Sequence, residues 1–318
     1  MSRTACLIFN PVAGQGDSER DLEVIKSCLE PELELEILFT TEQVSGGELA
    51  RQAIKDGAEI IIASGGDGTI SAVAEALIET DLILGTIARG TANAFANALG
   101  IPDTIEAACE TILAGTTKKV DTAMCNDRPM ILLAGIGFEA ETVEDANREA
   151  KDRLGILAYV LSGFKQLQEF VQFTAKIETE DKVITVTASA VTVANAAPPS
   201  SVLAHGTAGV IYDDGLLDIT ILAPQTKAGA IATSIQLLQS AGNNEAVERD
   251  GVGYLRSKWV KITTDPSQKV VVDGELIGKT PIEVRCIPRS LTIFAPEEGN
   301  IQPEEKLDNL PGVDVELK

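Results

Sequence analysis

Three short loops carry residues that could bind a phosphate group. They are Asn10-Pro11-Val12-Ala13-Gly14, Gly65-Gly66-Asp67-Gly68-Thr69 and Gly90-Thr91-Ala92-Asn93, and each follows an apolar run typical of a strand. Glycine lets the backbone approach a ligand closely, and N–H groups at the start of a helix attract phosphate. The second loop is the most specific, because an acid beside a bound phosphate favours a bridging metal ion. Taken alone, the first loop is more typical of an ordinary strand-to-helix turn.

Two acidic turns lie in the second half of the chain. Asp213 and Asp214 precede a glycine, with Asp218 shortly after, and Asp273-Gly274 is followed by Glu275. Such carboxylates could hold Mg²⁺, which prefers oxygen ligands, or accept the proton of an attacking hydroxyl. Both sequences are also common in hairpins, and Asp-Gly strongly favours a type I′ turn. In a simple hairpin Glu275 would face solvent, and the residues alone favour the hairpin interpretation at both turns.

Two further glycine motifs are better explained without a ligand. Residues 135–140 match GxGxxA, but no acidic residue follows at the spacing that a ribose would require, so we expect the glycines to serve close packing. Residues 274–280 resemble a P-loop that is one residue short. Pro281 and a strand-like sequence follow in place of the required helix. We expect a hairpin there.

The elements that must position the phosphate-binding loops alternate in the first 125 residues. Strand-like apolar runs and helical patterns alternate at residues 4–9, 17–28, 33–37, 48–55, 58–64, 70–79 and 82–88. This alternation predicts a parallel sheet with helices on its faces. In such a sheet the loops at the carboxyl ends of the strands share one edge, where ligands bind.

The remainder of the chain is richer in strands. After an apolar run at 131–137 and a long helical pattern to about residue 171, β-rich stretches follow, interrupted by a helix at 226–240. Strands in succession predict an antiparallel sandwich. We therefore expect three regions: a Rossmann-like α/β domain over residues 1–125, a β-sandwich domain over 126–296 and a disordered acidic tail over 297–318.

Composition limits the class of protein. The chain has 318 residues, with 26 Lys and Arg against 48 Asp and Glu, which gives a net charge of −22. This charge argues against a general nucleic-acid binder and against docking to an anionic membrane by overall charge, because both require basic residues. No apolar run approaches the roughly 20 residues of a membrane-spanning helix. The five cysteines lack CxxC spacing, so we expect reduced cytosolic thiols without a disulfide or a zinc site.

In their order, these motifs resemble the diacylglycerol kinase catalytic-domain family, which includes sphingosine kinases and soluble bacterial YegS-like lipid kinases. The resemblance spans most of residues 4–296 and rests on Asn10-Pro11, Gly65–Thr69, Gly90–Asn93, Asp214–Asp218 and Asp273–Glu275. It implies a phosphofructokinase-like parallel-sheet domain before the sandwich.

The resemblance also implies an activity. The implied protein is an ATP-dependent lipid kinase that uses Mg²⁺ and phosphorylates a hydroxyl of a diacylglycerol-like or related lipid. It is cytoplasmic or peripheral at the membrane. The implied partners are ATP and a lipid substrate at a membrane surface, with no nucleic acid, and the assembly is a monomer or a homodimer.

The resemblance further assigns roles to individual residues. It implies Glu275 as the general base and Asp67 as the residue that organises metal and phosphates. The implied magnesium loop consists of Asp214 and the backbone carbonyls of Ile211 and Leu216. The implied nucleotide site consists of Asn10, Pro11, Val12, Ala13, Gly14, Thr40 (or its neighbour Thr41), Gly66, Asp67, Gly68, Thr69, Ile70, Ser71, Ala72 and Thr91.

The sequence departs from the family pattern at several positions. Ala94 stands where members often carry an aspartate, and residues 44–47 replace a frequent GDA. Residues 196–201 replace a glycine-rich stretch, a change that bears on the choice of acceptor. Two alternatives stay open: a NAD kinase-like phosphotransferase, which shares the Gly65–Thr69 motif, and a non-catalytic nucleotide- or lipid-binding relative, suggested by Ala94.

Two features lie outside these motifs. An apolar stripe at helical spacing runs from Leu157 to Val171, and we expect a core-facing helix there. A lipid-facing edge is the alternative, favoured by the flanking basic residues Arg148, Lys151, Arg153 and Lys165. His205, the only histidine, has no partner motif, and we expect it to be structural.

Overall fold

A computed structural model of the chain describes residues 3–14, 16–137, 172–198, 210–226, 251–296, 307 and 310–318. Several predictions lie outside these residues: the helical pattern and apolar stripe within 138–171, His205, the altered loop beyond residue 198 and the helix after residue 226. The chain divides into two compact units.

The first unit contains Met1–Asp121 and Arg289–Gly299. Its strands and helices alternate as the sequence predicts. They are β1 Arg3–Phe9, α1 Ser18–Leu29, β2 Leu33–Phe39, α2 Gly46–Lys55, β3 Ile60–Gly65, α3 Asp67–Leu77, β4 Ile83–Ala88, α4 Ala94–Ala98, α5 Ile105–Ala114 and the start of β5 Thr117–Cys125.

The sheet of the first unit has the order β4-β3-β1-β2, with all neighbours parallel. Strands β2 and β3 lie on opposite sides of β1, so the loops after β1 and β3 open at the switch point where ligands bind in such sheets. Residues 60–65 of β3 are buried throughout. The continuous apolar run predicts this burial, because helices cover both faces of a parallel strand.

Local capping explains where the first helices begin. The Asp17 side chain accepts hydrogen bonds from the N–H groups of Glu19 and Arg20 and starts α1. Ser45 and Glu48 form a reciprocal capping box at the start of α2. Helix α1 packs against α5, and α2 packs against α3.

The last part of a long strand returns to the first unit. Strand β16 covers Ile282–Phe294, and Thr292 and Ile293 pair in parallel with β4. The predicted sandwich domain, 126–296, assigns this segment to the second domain. The compact units divide instead between residues 121 and 122, and Arg289–Gly299 belongs to the first. The return depends on pairing with a distant strand, which local patterning does not reveal.

The second unit contains Thr122–Pro288 and Asn300–Lys318 and is built from strands among its described residues. Besides the end of β5 and the start of β16, they are β6 Arg128–Met130, β7 Leu133–Gly137, β8 Phe173–Glu178, β9 Lys182–Ala188, β10 Ala190–Ala194, β11 Leu217–Leu222, β12 Val252–Ser257, β13 Trp259–Asp265, β14 Lys269–Val272, β15 Glu275–Lys279 and β17 Asp314–Leu317.

Two antiparallel strand sets of the second unit share one core. The first has the order β12-β11-β10-β7-β14-β15, and the second joins β17, β9, β8, β13 and the start of β16. Apolar residues from both sets, such as Ile136 and Val193 of the first and Ile177 and Val260 of the second, form one buried cluster. This arrangement is a β-sandwich. The predicted fold class, an α/β domain followed by a β-sandwich, is confirmed.

Part of the tail is ordered, contrary to the prediction of a disordered segment. Strand β17 pairs with β9, Asp314 opposite Thr185. Leu310 is buried, and its side chain lies directly over Gly253. The acidic composition of the tail does not predict this burial. It depends on the distant strand β12, where Gly253 leaves the space that Leu310 fills.

The two discounted glycine motifs have the expected structural roles where they are described. At Gly137 φ is +81°, and an added Cβ would lie 2.6 Å from the Phe173 ring. Asp273 and Gly274 both have positive φ and join the antiparallel strands β14 and β15. Positive φ at both central residues defines the predicted type I′ turn. None of the helices in the described part of the chain is long and apolar enough to span a membrane.

Candidate functional site

The loops after β1 and β3 are joined by one side chain. The Nδ2 atom of Asn10 donates to Oγ1 of Thr69 at 2.8 Å, and the Asn10 N–H donates to the carbonyl oxygen of Ser64. The Oδ1 atom of Asn10 accepts from the N–H of Val12 and shapes its own loop. Two of the three predicted phosphate loops are therefore held together at the switch point of the sheet.

Arg89 holds the first loop in place by hydrogen bonds to its backbone, a role that the sequence pattern did not reveal. Its guanidinium donates to the carbonyl oxygens of Asn10 at 3.0 Å and Ala13 at 3.1 Å, and Nε pairs with Asp21 at 2.9 Å. The same group lies 4.2 Å from the centre of the Phe9 ring. The position of Arg89 after a buried strand and directly before Gly90 could have indicated this role.

Glycines let the second and third loops approach each other. An added Cβ on Gly90 would lie 2.9 Å from the Cα of Gly66. Gly66 is the N-cap of α3 and supplies no side-chain cap to the first helical N–H groups. These donors at the start of α3 therefore suit a phosphate group.

Asp67 lies between the second loop and the start of α4. Its Oδ1 accepts from the N–H of Phe95 at 3.4 Å. Burial raises the pKa of Asp67 above its usual range, although backbone N–H groups of residues 93–95 act in the opposite direction. No Lys or Arg within the described ranges pairs with this carboxylate. At Ala94 the chain thus offers a backbone N–H to Asp67 in place of a further carboxylate.

The geometry favours Thr40 over Thr41 as the threonine of this edge. The Thr40 N–H donates to the carbonyl oxygen of Phe9 at 3.0 Å, which places it beside the start of the first loop. The Thr41 hydroxyl accepts from the N–H groups of Gln43 and Val44 and serves the local turn.

The other predicted nucleotide residues divide by exposure. Pro11, Val12, Gly14, Gly68 and Thr91 are exposed in the three loops or at the start of α3, and Ala13 is half-buried. By contrast, Ile70 is fully buried and Ser71 is nearly so, while Ala72 is half-buried beside α2. The structure therefore gathers the loop residues at one edge, whereas the side chain of Ile70 belongs to the core.

The departure at residues 44–47 has a packing role. An added Cβ on Gly47 would lie 2.8 Å from the carbonyl oxygen of Ala72, and one on Gly46 would lie 3.3 Å from that of Thr69. These two glycines let α2 lie close to α3, the helix that begins at the second loop.

In the second unit, an arginine joins the two predicted acidic positions. Arg256 pairs with Asp214, and its Nε lies 3.1 Å from Oδ1 of Asp218. The Tyr254 hydroxyl also donates to Asp218. Burial raises the pKa of Asp218 well above its usual range, against the opposing charge of Arg256.

The predicted magnesium loop shows a different arrangement. Both carboxylate oxygens of Asp214 are engaged, Oδ1 by the N–H of Leu216 at 3.1 Å and Oδ2 by Arg256. Ile211, three residues before Asp214 in the sequence, is buried. No group of three or more His, Cys, Asp or Glu suited to a metal ion occurs among the described residues. A cation at Asp214 would have to displace Arg256, so this set does not fit Mg²⁺ as it stands.

Glu275 lies just after the β14–β15 turn and forms an ion pair with Arg128. Its side chain is 68% exposed, so it is open to a reactant from solvent. This position agrees with the solvent-facing alternative and is equally compatible with a proton acceptor.

Asp273, two residues earlier, binds the connection between β6 and β7. Its carboxylate accepts from the N–H groups of Ile131 at 2.6 Å, Leu132 at 3.0 Å and Leu133 at 2.9 Å. Burial raises the pKa of Asp273 to about 6, although these three donors and the charge of Arg128 lower it. The sequence pattern around Asp273 indicates only a turn.

Both parts of the chain match models of known domains. Residues 4–125 match the diacylglycerol kinase catalytic domain, and residues 133–295 match the YegS C-terminal NAD kinase beta sandwich-like domain. An uncharacterized protein of Synechocystis sp. is 50% identical over 94% of this chain and 72% of its own length. The chain belongs to the diacylglycerol kinase catalytic-domain family. The resemblance inferred from the motifs is confirmed.

Two other members of the family extend the comparison. The protein named diacylglycerol kinase from Bacillus subtilis (strain 168) is 29% identical over 93% of this chain and 97% of its own length. The crystal structure of a proposed diacylglycerol kinase from Bacillus anthracis str. Sterne has a TM-score of 0.76. It is 27% identical and covers 92% of this chain and 98% of its own. The similarity to these family members therefore extends through both units.

Proposed function

We propose that this protein is a lipid kinase that transfers the γ-phosphoryl group of ATP to the hydroxyl of a diacylglycerol-like or related lipid. The observation that carries the proposal is the hydrogen bond from Asn10 to Thr69, which joins two glycine-containing loops at the switch point of a parallel sheet. Membership of the diacylglycerol kinase family supports the reaction class.

The first unit supplies the nucleotide-binding residues in this proposal. The Asn10–Gly14 loop, Thr40 and Thr91 bind the nucleotide, and the N–H groups at the start of α3 bind its phosphates. Asp67 fits a magnesium ion, because it is a carboxylate beside this helix start without a described basic partner. Magnesium bound there would neutralise phosphate charge during transfer.

The second unit supplies the proton acceptor. The lipid hydroxyl oxygen forms a bond to the γ-phosphorus, the bond from that phosphorus to the β–γ bridging oxygen breaks, and ADP leaves. The carboxylate of Glu275, which forms an ion pair with Arg128, accepts the hydroxyl proton. The loop of Ile211, Asp214 and Leu216 stays a prediction as a metal site, and we assign it no step.

The location follows from the substrate. An enzyme of this kind meets its lipid at a membrane surface, so we propose a cytoplasmic protein that associates peripherally, as a monomer or a homodimer. The part of the chain that carries the predicted lipid-facing alternative lies outside the described residues.

The decisive assay uses purified protein, γ-labelled ATP and Mg²⁺. Separate vesicles offer diacylglycerol, monoacylglycerol, a sphingoid base or phosphatidylglycerol, and a lipid-free sample offers NAD. We expect one labelled lipid, with a loss of at least about 100-fold in Asp67→Asn. Asp81→Asn, an exposed residue of the same unit, is the matched control and keeps full activity. Labelled NADP, or ATP binding without any turnover, contradicts the proposal.

A further inference from the structure

The connection between β6 and β7 is bound from both sides by polar side chains. Asp273 accepts hydrogen bonds from the three N–H groups of residues 131–133. On the other side, Nδ2 of Asn195 donates to the carbonyl oxygen of Ile131 at 2.8 Å. The backbone N–H groups of Asn195 and Ala196 donate to the carbonyl oxygen of Leu132. The backbone N–H groups of residues 131–133 are therefore bound by the residue after β14, and the carbonyl oxygens of Ile131 and Leu132 by the residues after β10.

This connection lies close in the chain to both members of the Arg128–Glu275 ion pair. Arg128 precedes Ile131 by three residues, and Glu275 follows Asp273 by two. The Asp273 N–H also donates to the carbonyl oxygen of Leu133 at 3.0 Å, so backbone and side chain of Asp273 hold the same segment. The turn that carries Glu275 thus has a fixed position relative to the strand that carries Arg128.

We propose that Asp273, assisted by Asn195, is a positioning residue for Glu275. By fixing residues 131–133, the two side chains hold the carboxylate of Glu275 beside Arg128, where it accepts the proton of the lipid hydroxyl. This inference rests on the proposed function. It also links the base to Ala196, the first residue of the altered loop, whose composition bears on the acceptor.

Charge and burial support a fixed geometry. Three N–H donors converge on one carboxylate that is shielded from solvent, so a rotation of the turn would leave several buried groups unpaired at once. An exposed type I′ turn without such contacts moves more easily, because only its own strand bonds restrain it. A general base must stay within hydrogen-bond reach of the proton that it abstracts.

The kinetic test compares Asp273→Asn with a control that lowers fold stability elsewhere in the second unit. Thr264→Val removes the buried hydrogen bond to Thr280 near the far end of β14 and β15. With vesicle substrate and ATP, we expect Asp273→Asn to lower kcat about tenfold or more and to leave the KM for ATP within about twofold. Thr264→Val lowers the melting temperature but leaves kcat unchanged. Equal effects of the two variants on kcat overturn the inference.

A second measurement does not depend on activity. In the background Arg128→Cys with Glu275→Cys, a short bis-maleimide links the two thiols, and mass spectrometry follows the yield of the cross-linked peptide. We expect Asp273→Asn to reduce this yield several-fold and Thr264→Val to leave it unchanged. An unchanged yield in Asp273→Asn overturns the inference. If Asp273→Asn does not fold, Asn195→Ala replaces it in both measurements, with a smaller loss expected and no loss overturning the inference.

The two measurements separate this inference from the proposed function. A wild-type protein that labels no lipid overturns the kinase proposal, and with it the role of Glu275 as a base. The cross-link yield still decides whether Asp273 sets the position of residue 275 relative to residue 128.

Discussion

Arg89 and Asn10 are joined by a hydrogen bond of 3.0 Å from the guanidinium to the carbonyl oxygen that begins the first phosphate loop. The two residues are 79 positions apart in the chain. The Arg89 side chain is only 3% exposed, so a buried guanidinium group holds the first phosphate loop in place. A substitution of Arg89 should therefore weaken nucleotide binding through the position of the loop, because Arg89 itself contacts the loop and not the nucleotide.

We expect Arg89→Lys to weaken ATP binding about tenfold and to lower the free energy of unfolding by about 2 kcal/mol. Lysine keeps the charge but cannot bind Asp21 and two carbonyl oxygens in a fixed fork. Calorimetric titration and urea unfolding measure the two effects. Arg20→Lys, on the exposed side of α1, is the control. Unchanged binding in Arg89→Lys would show that the loop does not depend on the guanidinium.

Glu275→Gln should reduce kcat for lipid phosphorylation by about 100-fold or more, since the amide cannot accept a proton. The KM for ATP should stay constant, because the nucleotide-binding residues lie in the first unit. Glu283→Gln is a matched control, as Glu283 is an exposed glutamate paired with Arg285 at 3.1 Å in the same unit. If both variants keep wild-type kcat, Glu275 is not the base.

The ionisation of Asp273 should make stability depend on pH. Burial raises the pKa of Asp273 from 3.8 to about 6, so between about pH 4 and 6 the folded protein binds more protons than the unfolded chain. The free energy of unfolding then decreases as pH rises through this window, by up to about 3 kcal/mol from this residue. The N–H groups of residues 131–133 and the charge of Arg128 lower the pKa of this carboxyl, but burial outweighs them.

Urea unfolding at several values between pH 4 and 7 tests this dependence. The wild-type curve should contain the decrease, and the curve of Asp273→Asn should lack it. Parallel curves for the two proteins contradict the prediction.

Gly137→Ala should lower the free energy of unfolding by about 3 kcal/mol, because the new Cβ meets the Phe173 ring and also needs φ of +81°. Gly274→Ala separates the two causes. Its φ is +86°, but an added Cβ has no neighbour within 4 Å, so only about 1 kcal/mol of backbone strain is expected. Denaturant unfolding of both variants gives the comparison. Equal losses would assign the whole effect to the backbone.

Leu310→Ala should destabilise the second unit by about 2–4 kcal/mol, since the side chain is 3% exposed and fills the space over Gly253. Leu317→Ala, at a side chain that is 78% exposed in the same tail, should have no measurable effect. Thermal unfolding measures both. A tail that contributes nothing to stability would give the same melting temperature for the two variants and the wild type.

The sequence by itself determined the features that depend on neighbouring residues. The alternation of strands and helices, the buried run of β3 and the glycines of the second loop follow from local patterning, and they indicated the α/β domain. The type I′ turn at Asp273-Gly274 follows from the need for positive φ at both positions. The order of the motifs was enough to indicate the family.

Only the tertiary structure decided which distant groups meet. Asp273 lies 142 positions from Ile131, and no local pattern distinguishes a turn aspartate from one that holds a strand connection. The same reason applies to Arg89, to the return of β16 beside β4 and to the ordered tail around Leu310. In each case a residue far along the chain either forms hydrogen bonds with a polar group or fills a space beside a strand. The partner is therefore determined by tertiary packing and not by spacing in the sequence.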